Sequence, residues 1–154
     1  MHGPDTPDIA APPPLIFAGA FAAAAGAKHF VPLPPLPAAP SRLLGAAVVA
    51  AGLAWGGAAV ATMRGARTNI NPYKPTHGVV ETGPFRYSRN PIYVSMAVMY
   101  VGGSLLMRSV VPLLLLPVVI GAIDRGVIER EEAYLEDKFG DRYLAYKMRV
   151  RRWV

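Results

Sequence analysis

Cysteine is absent from the 154 residues, which excludes a disulfide framework, a thiolate nucleophile and a zinc site built on sulfur. The three histidines, His2, His29 and His77, are too scattered to suggest a metal cluster, and no metal is expected. Charge is scarce too: 17% of residues, where a soluble domain carries about a quarter. Carboxylates are missing over two long stretches, between Asp8 and Glu81 and between Glu81 and Asp124. Seven of the ten acids fall at or after Asp124. With 53% hydrophobic residues and a mean hydropathy of +0.30, this pattern excludes an ordinary soluble globule and a disordered chain. It describes a membrane protein with a polar C-terminal segment. The net charge of +6 then reads as basic loops beside anionic headgroups, with no nucleic-acid partner expected. Arginine outnumbers lysine twelve to four in an Ala- and Gly-rich chain, a composition that suggests a GC-rich bacterial genome.

Residues 43 to 63 carry no charge and are bracketed by Arg42 and Arg64. At 1.5 Å per residue they span roughly 30 Å, the thickness of a bilayer core. Residues 13 to 27 form a shorter apolar run ending at Lys28. A signal peptide wants basic residues ahead of such a run, and here Asp5 and Asp8 precede it, so a first membrane helix is expected. From 91 to 123 the one charge is Arg108, and a tight helical hairpin turning near Met107, Arg108 and Ser109 fits that length. Four spans put thirteen Lys and Arg on one side and three on the other, which places both termini in the cytoplasm, with a bacterial inner membrane as the expected location. The fold expectation is an all-α integral membrane protein of about four transmembrane helices, with a two-helix scaffold over 1–67 and a functional region over 68–154. Gly52 and Gly56 make a GxxxG step extended by Gly45 and Ala59. Such a stripe serves packing within the bundle or a homodimer through the Gly52/Gly56 face. The Pro-rich stretch 31–40 reads as a stiff outer loop with no visible chemistry.

Two segments offer chemistry. The 26-residue connection 68–93 is long for a small bundle, and it interleaves Lys74, Arg86 and Arg89 with Tyr73, Phe85, Tyr87 and Tyr93. Cations among rings hold an anionic planar ligand or anchor a loop to headgroups; spacing alone leaves both open. In the tail, Ile128, Leu135 and Phe139 share one helical stripe, and Glu132 lies beside Ile128 on it. An inward carboxylate needs a partner, because burying an isolated charge is costly. Arg125, some 20° further round, would supply an ion pair to Glu132 or Glu129; the other reading is that Glu132 meets a cationic ligand. Gly140 marks a helix stop, and a second short helix follows from Asp141. The final RVRRW reads as a membrane-surface anchor.

HGVVETGPFRYSRNPIY (77–93), an apolar hairpin and EREEAYLEDKFGDRYLAYKMRVRRW (129–153) together resemble the isoprenylcysteine carboxyl methyltransferase family and the related phospholipid N-methyltransferases. The shared order is His-Gly with hydrophobics, Thr-Gly-Pro-aromatic-Arg-Tyr, Arg-Asn-Pro-x-Tyr, a Glu-Glu pair and Phe-Gly-x-x-Tyr-x-x-Tyr, over roughly 70–154. The resemblance implies a membrane methyltransferase using S-adenosylmethionine on the cytoplasmic side, acting on a carboxylate, thiol or amine of a lipid-like molecule. It implies His77, Gly78, Val79, Val80, Gly83 and Pro84 along the cofactor. Arg86, Tyr87, Arg89, Asn90, Pro91 and Tyr93 form its second binding element, and Glu131 and Glu132 the acidic pair. Arg125 and Glu132 are the catalytic candidates, Arg125 to orient an anionic acceptor and Glu132 to take a proton from an amine. Prenylcysteine enzymes typically have His where Asn90 stands, which separates this chain from that substrate. Two other readings are a membrane NADPH-dependent sterol-type reductase, with a similar Arg-Asn-Pro-x-Tyr layout, and a small four-helix transporter. The latter lacks the intramembrane acid that coupling requires.

Overall fold

The computed structural model describes residues 6 to 31, 33 to 71 and 73 to 154. His2, Asp5, Pro32 of the outer loop and Pro72 of the 68–93 connection lie outside the described residues. Among the described residues every regular element is helical. α1 (Pro13–Ala27) opens on proline, whose fixed φ suits the first helical position and whose missing N–H costs nothing there. α2 (Ala38–Gly65) begins after Pro37 and outlasts the uncharged run 43–63 at both ends, so that Arg42 and Arg64 both sit inside the helix, Arg64 in its last turn. Pro91, whose ring keeps the preceding Asn90 out of the helical region, starts α3 (Pro91–Leu106). The hairpin turn falls at 107–110, with Arg108 in the left-handed region (φ 57), and α4 (Val111–Ile123) returns. A π-helical turn (Asp124–Ile128) joins α4 to α5 (Glu129–Phe139), and Gly140 separates α5 from α6 (Asp141–Arg149).

α2 and α3 form the tightest contact. A Cβ on Gly45 would fall 2.8 Å from the Gly102 carbonyl oxygen, and a Cβ on Gly102 would fall 2.8 Å from the Val49 nitrogen, so only glycine permits this approach. Gly52 and Gly56 meet Met99 and Ser95 of α3 in the same way. The small-residue stripe is therefore spent on α3 inside the chain, and a homodimer through the Gly52/Gly56 face would have to displace that helix. α1 lies on α4 and α3. There Phe17 and Phe21 meet Tyr100 edge-on at 6.4 and 5.0 Å, above a core of Val119, Ile123, Val127 and Ile128.

Ala38–Gly65 and the continuous helix Val111–Phe139 are long and apolar enough to cross a membrane; Pro13–Ala27 and Pro91–Leu106 are shorter apolar helices. The apolar part of the last helix ends at Ile123, and its charged continuation carries the acids of the tail. Leu15, Leu43, Leu53, Leu114 and Val118 point outward from the bundle, an arrangement suited to lipid.

Candidate functional site

The first turns of α1 and α3, the end of α2, the 68–93 connection and α5–α6 enclose a cavity of about 240 Å³. Pro13, Pro14, Met63, Ile92 and Met96 line its apolar side. Phe85, Tyr93, Tyr134, Tyr143 and Tyr146 bring rings, and Arg89, Glu131 and Glu132 bring charge. Residues on both sides of the 67/68 boundary contribute to the wall.

Glu132 is the hub that holds the loop to the tail. Its carboxylate is 5% exposed and receives Arg89 Nη2 and Nε at 2.7 and 3.1 Å on one oxygen. Arg152 Nη2 reaches the other oxygen at 2.8 Å, and Lys147 Nζ stands 3.7 Å away. Arg89 also donates through Nη1 to the carbonyls of Lys147 and Val150 at 3.0 and 2.8 Å. The tail closes over the loop by backbone as well. Arg89 N–H donates to the Arg151 carbonyl (2.9 Å), and Asn90 Nδ2 to the Arg152 carbonyl (3.0 Å). Trp153 Nε1 donates to Asp124 (3.2 Å), and Tyr146 Oη to the Phe85 carbonyl (2.8 Å). Burial would raise the Glu132 carboxyl, but hydrogen bonds and charge from Arg152 and Arg89 outweigh it and hold the group below the usual carboxylate range.

Glu131 has a different environment. It receives one hydrogen bond, from Tyr93 Oη at 2.7 Å, and no arginine. Burial pushes its carboxyl up to about 7, the Tyr93 hydrogen bond opposing and the adjacent Glu132 charge adding to the rise. It is the one carboxylate on the cavity wall, among the described residues, that no cation compensates. Tyr143 and Tyr146 are pushed up by burial and stay neutral hydroxyls at physiological pH.

Of the residues singled out by sequence, Gly78, Val79, Val80, Arg89, Asn90, Pro91, Tyr93, Glu131 and Glu132 line the cavity. His77 stands just off it, exposed, with its ring 3.3 Å from Asn69 Nδ2 and its backbone N–H on Thr68 Oγ1. Gly83 and Pro84 also lie outside the wall. They shape the short 3₁₀ turn Gly83–Arg86, where Gly83 adopts φ 57 and a Cβ would come within 2.6 Å of Thr62 Oγ1. Arg86 and Tyr87 are exposed, Tyr87 leaning on Trp55 at 6.1 Å.

Arg125 is exposed and away from the cavity, and the ion pair expected between Arg125 and Glu132 or Glu129 does not form. The reason is the π-helical turn: Glu129 N–H bonds to the Asp124 carbonyl five residues back, and the extra residue breaks the α-helical phase linking Arg125 to Glu132. Its place is taken by Arg152, from the RVRRW segment that reads as a surface anchor. Sequence reasoning also passed over Tyr134, Thr68 and Asn69. The alternation of Tyr134, Tyr143 and Tyr146 with the acids of the tail was the available signal for the rings.

A helical bundle with a charged, ring-lined cavity at the polar end of apolar helices is the setting of a membrane-associated enzyme. The chain belongs to the phospholipid methyltransferase family, whose model matches residues 40–142. It is 35% identical over 74 residues to the protein-S-isoprenylcysteine O-methyltransferase of Schizosaccharomyces pombe, a match covering 48% of this chain and 31% of that protein. It is 38% identical over 63 residues to an uncharacterized protein of Haemophilus influenzae, covering 41% of this chain and 100% of that protein. The chain thus spans about a third of the length of the yeast relative, and all of the bacterial one. No solved structure matches it. The reductase and transporter expectations find no support in these matches.

Proposed function

We propose that this chain is an integral membrane methyltransferase that uses S-adenosylmethionine to methylate a lipophilic acceptor at the cytoplasmic rim of a bacterial inner membrane. Glu131 carries the reading: a half-buried carboxylate, uncompensated among the described residues, on a ring-lined cavity within the stretch matched by the family model. α1, α2, α3 and α4 are the four spans. The positive-inside rule then puts the cavity and both termini in the cytoplasm, since the cavity end carries the basic loop and tail.

The donor chemistry fits the cofactor, with a changed division of roles. An ammonium and a sulfonium call for a carboxylate and ring faces, which Glu131, Tyr93, Tyr134 and Tyr143 supply. Glu132 is already committed to Arg89 and Arg152. Four of the five Arg89 N–H groups are spent on Glu132, Lys147 and Val150, so a bidentate clamp on the cofactor's carboxylate is not open to it. When bound, S-adenosylmethionine supplies a methyl group activated by positive sulfur. The protein's share is orientation and exclusion of water. Arg89, Glu132 and Arg152 lock the 68–93 connection against the tail. Phe85, Tyr143 and Tyr146 wall off solvent. Glu131 Oε is placed to hold a cationic group, or to take a proton from an acceptor nucleophile that carries one. A lipophilic acceptor reaches this point past Pro14 of α1 and Met63 of α2. Entry between α3 and α4 is disfavoured because no α4 residue lines the cavity.

Equilibrium binding of labelled S-adenosylmethionine to the purified protein in detergent tests the reading. Saturable binding is expected, weakened about ten-fold or more by Glu131→Gln. No binding at near-millimolar cofactor would reject it.

A further inference from the structure

α1 and α3 both run away from the Glu131 cavity, and at their far ends lies a second cavity of about 220 Å³. Fifteen residues of α1 place it roughly 22 Å from the first. It is bounded by Lys28 and His29 after α1, by Pro34 and Pro35 of the Pro-rich loop, and by Arg108 and Ser109 before α4. The loop and the hairpin turn are tied to each other in both directions: Leu36 N–H donates to the Arg108 carbonyl (3.0 Å), and Arg108 Nε donates to the Leu36 carbonyl (2.8 Å). That tie spends one guanidinium N–H and fixes the group at the cavity wall. Both Arg108 Nη atoms, Lys28 Nζ and the His29 ring make no hydrogen bond or ion pair among the described residues. Both wall segments fall in the carboxylate-free stretches of the chain, so no acid of their own compensates them. The amino end of α4 adds partial charge of the same sign.

We propose that this second cavity is a binding site for the phosphate of an anionic phospholipid, held by Lys28 and Arg108. The apolar rim selects a lipid over a free anion: Phe30 is 87% exposed, and Val31 and Leu33 beside it are exposed as well, positioned for glycerol and acyl groups. The lipid phosphate adds a polar link between the end of α1 and the α3–α4 turn, whose own hydrogen-bonded tie runs to Leu36 of the Pro-rich loop. The stiff Pro-rich loop then has a role: it holds the apolar rim next to the cations.

The test is native mass spectrometry of the full chain in a neutral detergent, titrated with phosphatidylglycerol, phosphatidylcholine or inorganic phosphate. One saturable phosphatidylglycerol is expected per chain, with phosphatidylcholine bound more weakly. Lys28→Gln and Arg108→Gln should each lower the affinity about five-fold. The Lys28 side chain has no partner among the described residues, so its substitution is expected to leave the fold intact, and unchanged phosphatidylglycerol affinity in Lys28→Gln overturns the proposal. Equal uptake of phosphatidylcholine overturns the role of charge. Displacement of the lipid by an equal concentration of inorganic phosphate overturns the choice of a lipid.

Discussion

Replacing Glu132 by glutamine separates a structural hub from a ligand-binding carboxylate. Glu132 is 5% exposed and Arg89 8%, so the substitution leaves Arg89 charged, buried and without its counter-ion. Removing one partner of a buried pair costs about 3–5 kcal/mol. Arg152, 29% exposed, recovers part of its loss from water and from Asp124 at 3.2 Å, so the damage centres on Arg89. For a chain of this length each kcal/mol moves the unfolding midpoint by about 2–4 °C, giving a fall of roughly 6–20 °C for Glu132→Gln. Heating in mild detergent, followed by circular dichroism, measures it. The same logic fixes a pH sign. The folded-state carboxyl is held below its ordinary value, so its contribution is complete at neutral pH and disappears as acidification protonates it. Glu132→Gln should therefore flatten the acid limb of the stability curve. A midpoint within about 1 °C of wild type, together with lost cofactor binding, would refute the hub and return Glu132 to the role of a ligand.

Glu131→Gln should behave in the opposite way. Its folded carboxyl titrates near 7, raised above the unfolded value, so ionising it costs stability as pH rises through that point. The variant is expected to be as stable as wild type or more so above pH 7, yet to lose the rise in methyl-transfer rate that wild type shows through pH 7; a wild-type rate flat from pH 6 to 8, read in a discontinuous radiolabel assay, would count against Glu131 as proton acceptor. Gly102→Val should part α2 from α3, since its Cβ would fall 2.8 Å from the Val49 nitrogen, and such overpacking costs about 1–3 kcal/mol. An unchanged melting midpoint would contradict the tight α2–α3 contact.

Much of the bundle was legible because its signal is local. The charge-free runs, the prolines that open α1, α3 and α4, and Gly140 after Phe139 each act within a few residues of the boundary they set. The inward position of Glu132 followed from its phase against Ile128, the last residue of the π-helical turn, from which α5 continues as regular helix. Arg125 was misplaced because that phase was carried back through 124–128, where an i→i+5 turn shifts the register and nothing in Asp-Arg-Gly-Val-Ile announces it. The partnership of Glu132 with Arg89 and Arg152 was not legible either. It depends on the chain reversing at Gly140 and on the tail pairing with a loop some sixty residues earlier, a long-range contact without a sequence period. The Gly52/Gly56 stripe was readable as a close-approach surface, but its partner was not. The identity of α3 comes from Gly102 and Ser95 on the facing helix.

The most direct measurement is methyl transfer itself. Purified protein, bacterial lipid extract and S-adenosylmethionine labelled in the methyl group are incubated, and the organic phase is counted for wild type and Glu131→Gln. Label entering the lipid fraction with wild type and falling about ten-fold or more with the variant is the expected result. Saturable cofactor binding with no label in any lipid, or equal transfer by the variant, would contradict a lipophilic acceptor meeting the methyl group at Glu131.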